Sequence, residues 1–212
     1  MTTRRSFVTA LTSFAGLSVT GFAAQPPATP GAGDWNMAWL DGFKGKHKQM
    51  FDVGSFDLTA DTPLRVPMNY LDTFRDVFHL QPPDVNVAVG IARTAFPINA
   101  SDVLWERHSL GEVWGITDPA TGKPATRNIF LGDAGKPREA TVRALQSRGA
   151  IFWQCNVALG AVAFQLSQAA RVPVPDMRAA LIAGLNPGVV LVPAHTMATG
   201  LIQERGFTYE KL

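Results

Sequence analysis

Cys155, Arg93 and His195 each come directly after an apolar run, the place where an α/β protein presents reactive side chains. Cys155 stands between the short run Ala150-Ile-Phe-Trp-Gln154 and a long helical stretch that opens at Asn156. A thiol at such a junction faces unpaired N–H groups and the positive end of a helix dipole, which favour the thiolate and an anionic ligand. The same position also suits a buried small hydrophobe, with Trp153 and Val157 packing around it. Arg93 follows Val85-Asn-Val-Ala-Val-Gly-Ile91, so its guanidinium emerges at a sheet edge, able to hold an anion in a bidentate grip or to pair with a loop carboxylate. His195 follows Val189-Val-Leu-Val192 and Pro193-Ala194. Imidazole suits acid–base work near neutral pH, and it equally suits capping or packing a helix start. Taken together, these residues predict thiol chemistry on a small anionic ligand, with Cys155 the nucleophile, His195 its activator, and the Asn156 N–H and Arg93 holding negative charge.

Other chemistries find no support. His47, His79, His108 and His195 are scattered, and a single cysteine excludes both an intramolecular disulfide and every paired-cysteine zinc motif, so no metal is expected. The chain has no Gly-x-Gly-x-x-Gly after a strand, no phosphate-binding Gly-Lys-Ser/Thr and no Gly-x-Ser-x-Gly, so neither a nucleotide cofactor nor a serine hydrolase is expected. Glu106 with Glu112, and Asp102 with Asp118, read as solvated loop and helix charges. A formal charge of +2 gives no basic field for nucleic acid.

The elements that must position these residues alternate in period. Strands are expected at residues 46–53, 85–91, 150–154, 188–192 and 207–209. Helices are expected at 63–78, from Ser101-Asp102 through Glu106, and at 136–148, 156–169, 176–183 and 195–205. In the first helix Met68, Leu71, Phe74, Val77 and Phe78 recur at three- and four-residue spacing. Residues 117–130 carry turn signals throughout and read as loop. Strands alternating with helices imply βαβ crossovers, hence one α/β domain with a mostly parallel sheet of about five strands between helical layers. With 46% hydrophobic residues in 212, one such domain has a sizeable core to bury.

Residues 1–24 read as an address. Arg4-Arg5-Ser6-Phe7 precedes a weakly apolar stretch rich in Gly, Ser and Thr and a small-residue end at Ala23-Ala24, the character of a twin-arginine export signal. The stretch is too diluted for a stable membrane anchor. Its removal takes away Arg4 and Arg5 and no acid, leaving the mature charges formally balanced and the protein expected in the periplasm. Residues 25–45 are expected as a flexible extension whose aromatic part, Asp34-Trp35-Asn36-Met37-Ala38-Trp39-Leu40, needs a surface on this domain or on a neighbouring subunit. The domain proper is expected at 46–212.

Around Cys155 the segment Gly149-Ala-Ile-Phe-Trp-Gln-Cys-Asn-Val-Ala-Leu159 resembles the strand, cysteine, helix unit of the DsrE-like family. Leu185-Asn-Pro-Gly-Val-Val-Leu-Val-Pro193 and Gln203-Glu-Arg-Gly-Phe-Thr-Tyr209 are similar to that family's closing elements. Leu110-Gly-Glu112 and the stretch from Asp118 to Asn128 resemble an exported twin-arginine branch of the family. The resemblance implies a three-layer flavodoxin-like fold, a homo-oligomer, and for Cys155 the carriage of sulfur as a persulfide to a partner protein. A competing expectation is a non-catalytic periplasmic module, binding a small ligand or serving assembly, in which Cys155 is structural.

Overall fold

The computed structural model describes residues 35–59 and 62–212. The segment read as an export signal lies outside them. Five strands form one sheet: β1 (His47–Asp52), β2 (Val85–Ile91), β3 (Ile151–Cys155), β4 (Val189–Val192) and β5 (Thr208–Lys211), in the order β4-β3-β2-β1-β5. Every pairing is parallel. Among the described residues seven α-helices accompany them: α1 (Arg65–Phe78), α2 (Asp102–Arg107), α3 (Leu110–Trp114), α4 (Val142–Ser147), α5 (Asn156–Ala170), α6 (Val174–Ala183) and α7 (His195–Gln203). The fold is α/β, three-layered and flavodoxin-like.

Crossover handedness decides which layer each helix joins. The chain steps in one direction from β1 to β4, so right-handed crossovers put the helices between those strands on a single face. The step from β4 back to β5, on the far side of β1, runs the other way, and α7 therefore lies on the opposite face. The first face is deep. Phe51, Val87, Val89, Ile91 and Phe152 from the strands meet Leu64, Met68 and Leu71 around α1, Val142 and Leu145 of α4, and Leu159, Val162, Ala163 and Leu166 of α5. Trp105 closes this core, with its indole N–H donated to the Pro97 carbonyl at 3.0 Å. Burying each large apolar side chain stabilises the fold by roughly 1.5–3 kcal/mol before the entropy of ordering it is counted.

The second face is shallow. Met50, Ala88, Trp153 and Val192 are covered by Ala198 and Ile202 of α7 and by Leu40 and Phe43. Leu40 belongs to a 3₁₀ turn, Ala38–Gly42, that comes before β1. The aromatic segment thus finds its surface on the domain itself: Trp39 lies 5.7 Å from Trp153 and Phe43 lies 4.7 Å from Phe207, centroid to centroid.

Two sequence expectations need correction, and one element was not foreseen. The helix expected at 136–148 begins only at Val142, because Thr141 takes the N-cap and accepts from the Ala144 N–H, while the Asp133 side chain organises the preceding turn through the Gly135 N–H. The stripe on α1 runs past the edge of the core. Met68 and Leu71 are buried, but Val77 and Phe78 are about 60% exposed. Residues 93–99, which have no helical period, wind into a 3₁₀ helix that carries Arg93 at its start.

Candidate functional site

All five strands point their carboxyl ends the same way, and the sense of winding reverses between β1 and β5. Ligands of open α/β sheets bind at such a reversal. An open pocket of about 330 Å³ lies there, lined by Asp52, His195 and Tyr209 and, along one side of α7, by Thr196, Thr199, Gly200 and Gln203.

Cys155 closes β3 and is the N-cap of α5. Its Sγ accepts the Ala158 N–H at 3.3 Å and the His195 N–H at 3.2 Å. Ala158 is in the first turn of α5 and His195 is the first residue of α7. The sulfur therefore takes orphan donors from the starts of two helices, one of 15 residues and one of nine, whose positive dipole ends converge on it. The residue is only 4% exposed.

The His195 side chain is directed elsewhere. Trp153 donates its indole N–H to Nδ1 at 3.1 Å, and Nε2 lies 3.0 Å from Asp52 Oδ1. Indole only donates, so Nδ1 is the bare nitrogen and the proton of the neutral ring is on Nε2, toward the carboxylate. That N–H is aimed off the line to Oδ1, and the contact works through charge more than as a linear hydrogen bond. Asp52 also accepts the Gly54 N–H at 2.9 Å and the Tyr209 hydroxyl at 2.7 Å. Burial pushes the Asp52 carboxyl up, but His195, Tyr209 and the Gly54 N–H together outweigh burial and hold it well below the usual carboxylate range. The hydrogen bond to Asp52, then burial and the carboxylate charge, push the Tyr209 phenol up to about 12.

Register explains how these groups meet. Asp52 of β1, Gly90 of β2 and Trp153 of β3 are successive partners in one row across the sheet. A Cβ on Gly90 would stand 2.7 Å from His195 Cε1 and 2.6 Å from the Trp153 ring. The missing side chain is what lets imidazole and indole lie on the strand.

Of the other two expected residues, Asn156 opens α5 directly after Cys155 and Arg93 opens the 3₁₀ helix after β2. The Asn156 side chain accepts from Arg178 of α6. Arg93 is exposed at the end of β2, in the left-handed region with φ 46°, and among the described residues no ion pair to it is found. The structure thus joins Cys155 and His195 through the backbone and turns the Asn156 side chain to α6. Sequence reasoning missed Asp52, Gly90, Trp153 and Tyr209 as site residues. Gly90, a bare position in a β-branched run, was the one available signal.

Among the described residues, no cluster of three or more His, Cys, Asp or Glu side chains is arranged to hold a metal, and no single helix is long and apolar enough to cross a membrane. No family model matches the chain, and no curated protein does. It is similar to one solved structure, a protein of unknown function, MTH1491, from Methanobacterium thermoautotrophicum, with 14% identity over 79% of this chain and 100% of that one, at a TM-score of 0.40.

Proposed function

We propose that the chain is an exported, periplasmic DsrE-like protein that handles small sulfur species through Cys155. The observation that supports this reading best is the sulfur held between two helix starts, with a backbone N–H from each. Donors fixed in advance on an atom that carries negative charge are what a thiolate nucleophile needs. With thiosulfate, the Cys155 thiolate attacks the outer sulfur. A bond forms between Sγ and that sulfur, the bond to the sulfonate sulfur breaks, and sulfite leaves with the electron pair, so Cys155 becomes a persulfide and no outside oxidant is needed. Arg93, exposed at the neighbouring strand end and without an ion pair among the described residues, is the group to hold the sulfonate. Burial of the thiol restricts the donor to small species, and a homo-oligomer belongs to the same reading.

The test is mass spectrometry of the native mature protein before and after thiosulfate or polysulfide, beside native thiol titration. A gain of one sulfur mass, lost in Cys155→Ser while the protein still folds, supports the reading. A thiol silent until denaturation overturns it. That second result favours a non-catalytic module binding a small ligand in the pocket at Asp52, His195 and Tyr209, a reading favoured by the fact that Cys155 does not line this pocket.

A further inference from the structure

We infer that Asp52 and Trp153 are positioning residues for Cys155: they grip the His195 imidazole from its two sides and so keep the first N–H of α7 on the sulfur. The inference rests on the thiol reading above and deepens it. Neither residue is linked to Sγ by a hydrogen bond, and both act through His195. With Nδ1 taken by Trp153 and Nε2 facing Asp52, the ring offers no nitrogen to remove a proton from the thiol. What His195 gives the sulfur is its backbone N–H, 3.2 Å away.

The grip is built into the sheet. Gly90 provides a bare floor at the middle of the row, Asp52 stands one strand to one side, and Trp153 one strand to the other. Trp153 is also two residues before Cys155 on the same strand, so ring and sulfur belong to one face of β3. A ring hydrogen-bonded at Nδ1 and facing a carboxylate at Nε2 steadies the start of α7, and the Thr199 hydroxyl adds a bond back to the His195 carbonyl at 2.9 Å. The ionisable groups on this face around the ring are Asp52 from β1, Tyr209 from β5 and Cys155 from β3, and Lys211 of β5 is the register partner of Asp52. Asp52 has no Lys or Arg ion pair among the described residues, so its charge is directed at His195.

The experiment measures the rate of native Cys155 with methyl methanethiosulfonate across pH 5 to 9 in the full chain, its Trp153→Phe and Asp52→Asn variants, and Leu71→Ala as a control destabilised on the other face. Trp153→Phe keeps an aromatic side chain but removes the indole N–H with its ring, and Asp52→Asn keeps the shape but removes the charge and turns one of two acceptor oxygens into a donor, so Leu71→Ala sets the scale for simple destabilisation. A hydrogen bond to a charged acceptor is worth roughly tenfold in an equilibrium, so both variants are expected to move the rate profile to higher pH and slow the reaction about tenfold near neutrality, whereas Leu71→Ala leaves the profile in place. Faster exchange of the His195 amide in the two variants is the companion result. If wild-type thiol reacts and both variants keep its profile, the positioning role is overturned and the thiol reading stands. A wild-type thiol silent in the native protein overturns the reading and this role with it.

Discussion

The two faces of the sheet are built for different purposes. On the deep face the strands meet α1, α2, α4, α5 and α6 through apolar side chains, and Phe51, Phe152 and Ile91 are wholly enclosed. Among the described residues the shallow face has one helix and one 3₁₀ turn to cover it, and a row near its carboxyl edge replaces apolar contacts with Asp52, Gly90 and the Trp153–His195 pair. The deep face supplies stability. The shallow face spends some of its packing on holding charged and hydrogen-bonding groups at fixed distances.

The contrast can be broken first by truncating one ring on each side. Phe152→Ala, from a fully buried position on the deep face, is expected to destabilise by about 3–5 kcal/mol in urea unfolding, and Phe43→Ala on the shallow face by less than about 3 kcal/mol. Equal losses would erase the distinction. Gly90→Ala comes next. Its Cβ must displace indole or imidazole, and a loss of about 1–3 kcal/mol is expected, with the Trp153 fluorescence altered because the ring has moved.

Asp52→Asn sharpens the electrostatic side. A carboxyl held below its unfolded value contributes stability that is present above that value, near 3.9, and is lost as pH falls through the folded one. The variant is thus expected to be less stable than wild type by about 1 kcal/mol at pH 7, with the gap closing as pH falls below about 3, measured by urea unfolding at each pH. The smallest effect is expected at Arg93. Replacing it with glycine relieves a left-handed backbone and should stabilise by up to about 1 kcal/mol, while slowing sulfur loading from thiosulfate. A stabilised variant that loads at the wild-type rate would remove Arg93 from ligand binding.

The strand–helix alternation was legible because each element carries its own period and its own stops, as at Gly149 after α4 and Gly184 after α6. Cys155 and His195 stood out for the same local reason, each at the end of an apolar run. Their meeting was legible only as an expectation that strand ends share one edge. The row Asp52, Gly90, Trp153 depends on register and strand order, which no local pattern encodes, and Asp52 alone looks like any acid beside a turn. The late start of α4 was hidden by charged residues that read equally well as helix surface or as turn.

One consequence follows from where the site residues come in the chain. Asp52 and Tyr209 are 157 positions apart, and Trp153 is 42 from His195. A fragment must run from Asp52 to Tyr209 to contain all these groups, and the helix starts converge on the sulfur only when β4 and α7 have closed over β3. Closing contacts of such long range costs chain entropy and slows folding. A chain in which β4 and α7 have not closed over β3 carries an ordinary cysteine, without the environment that sets the sulfur apart. Under the function proposed above, a reactive Cys155 would double as a signature of completion, because only a chain whose topology is finished is expected to load sulfur.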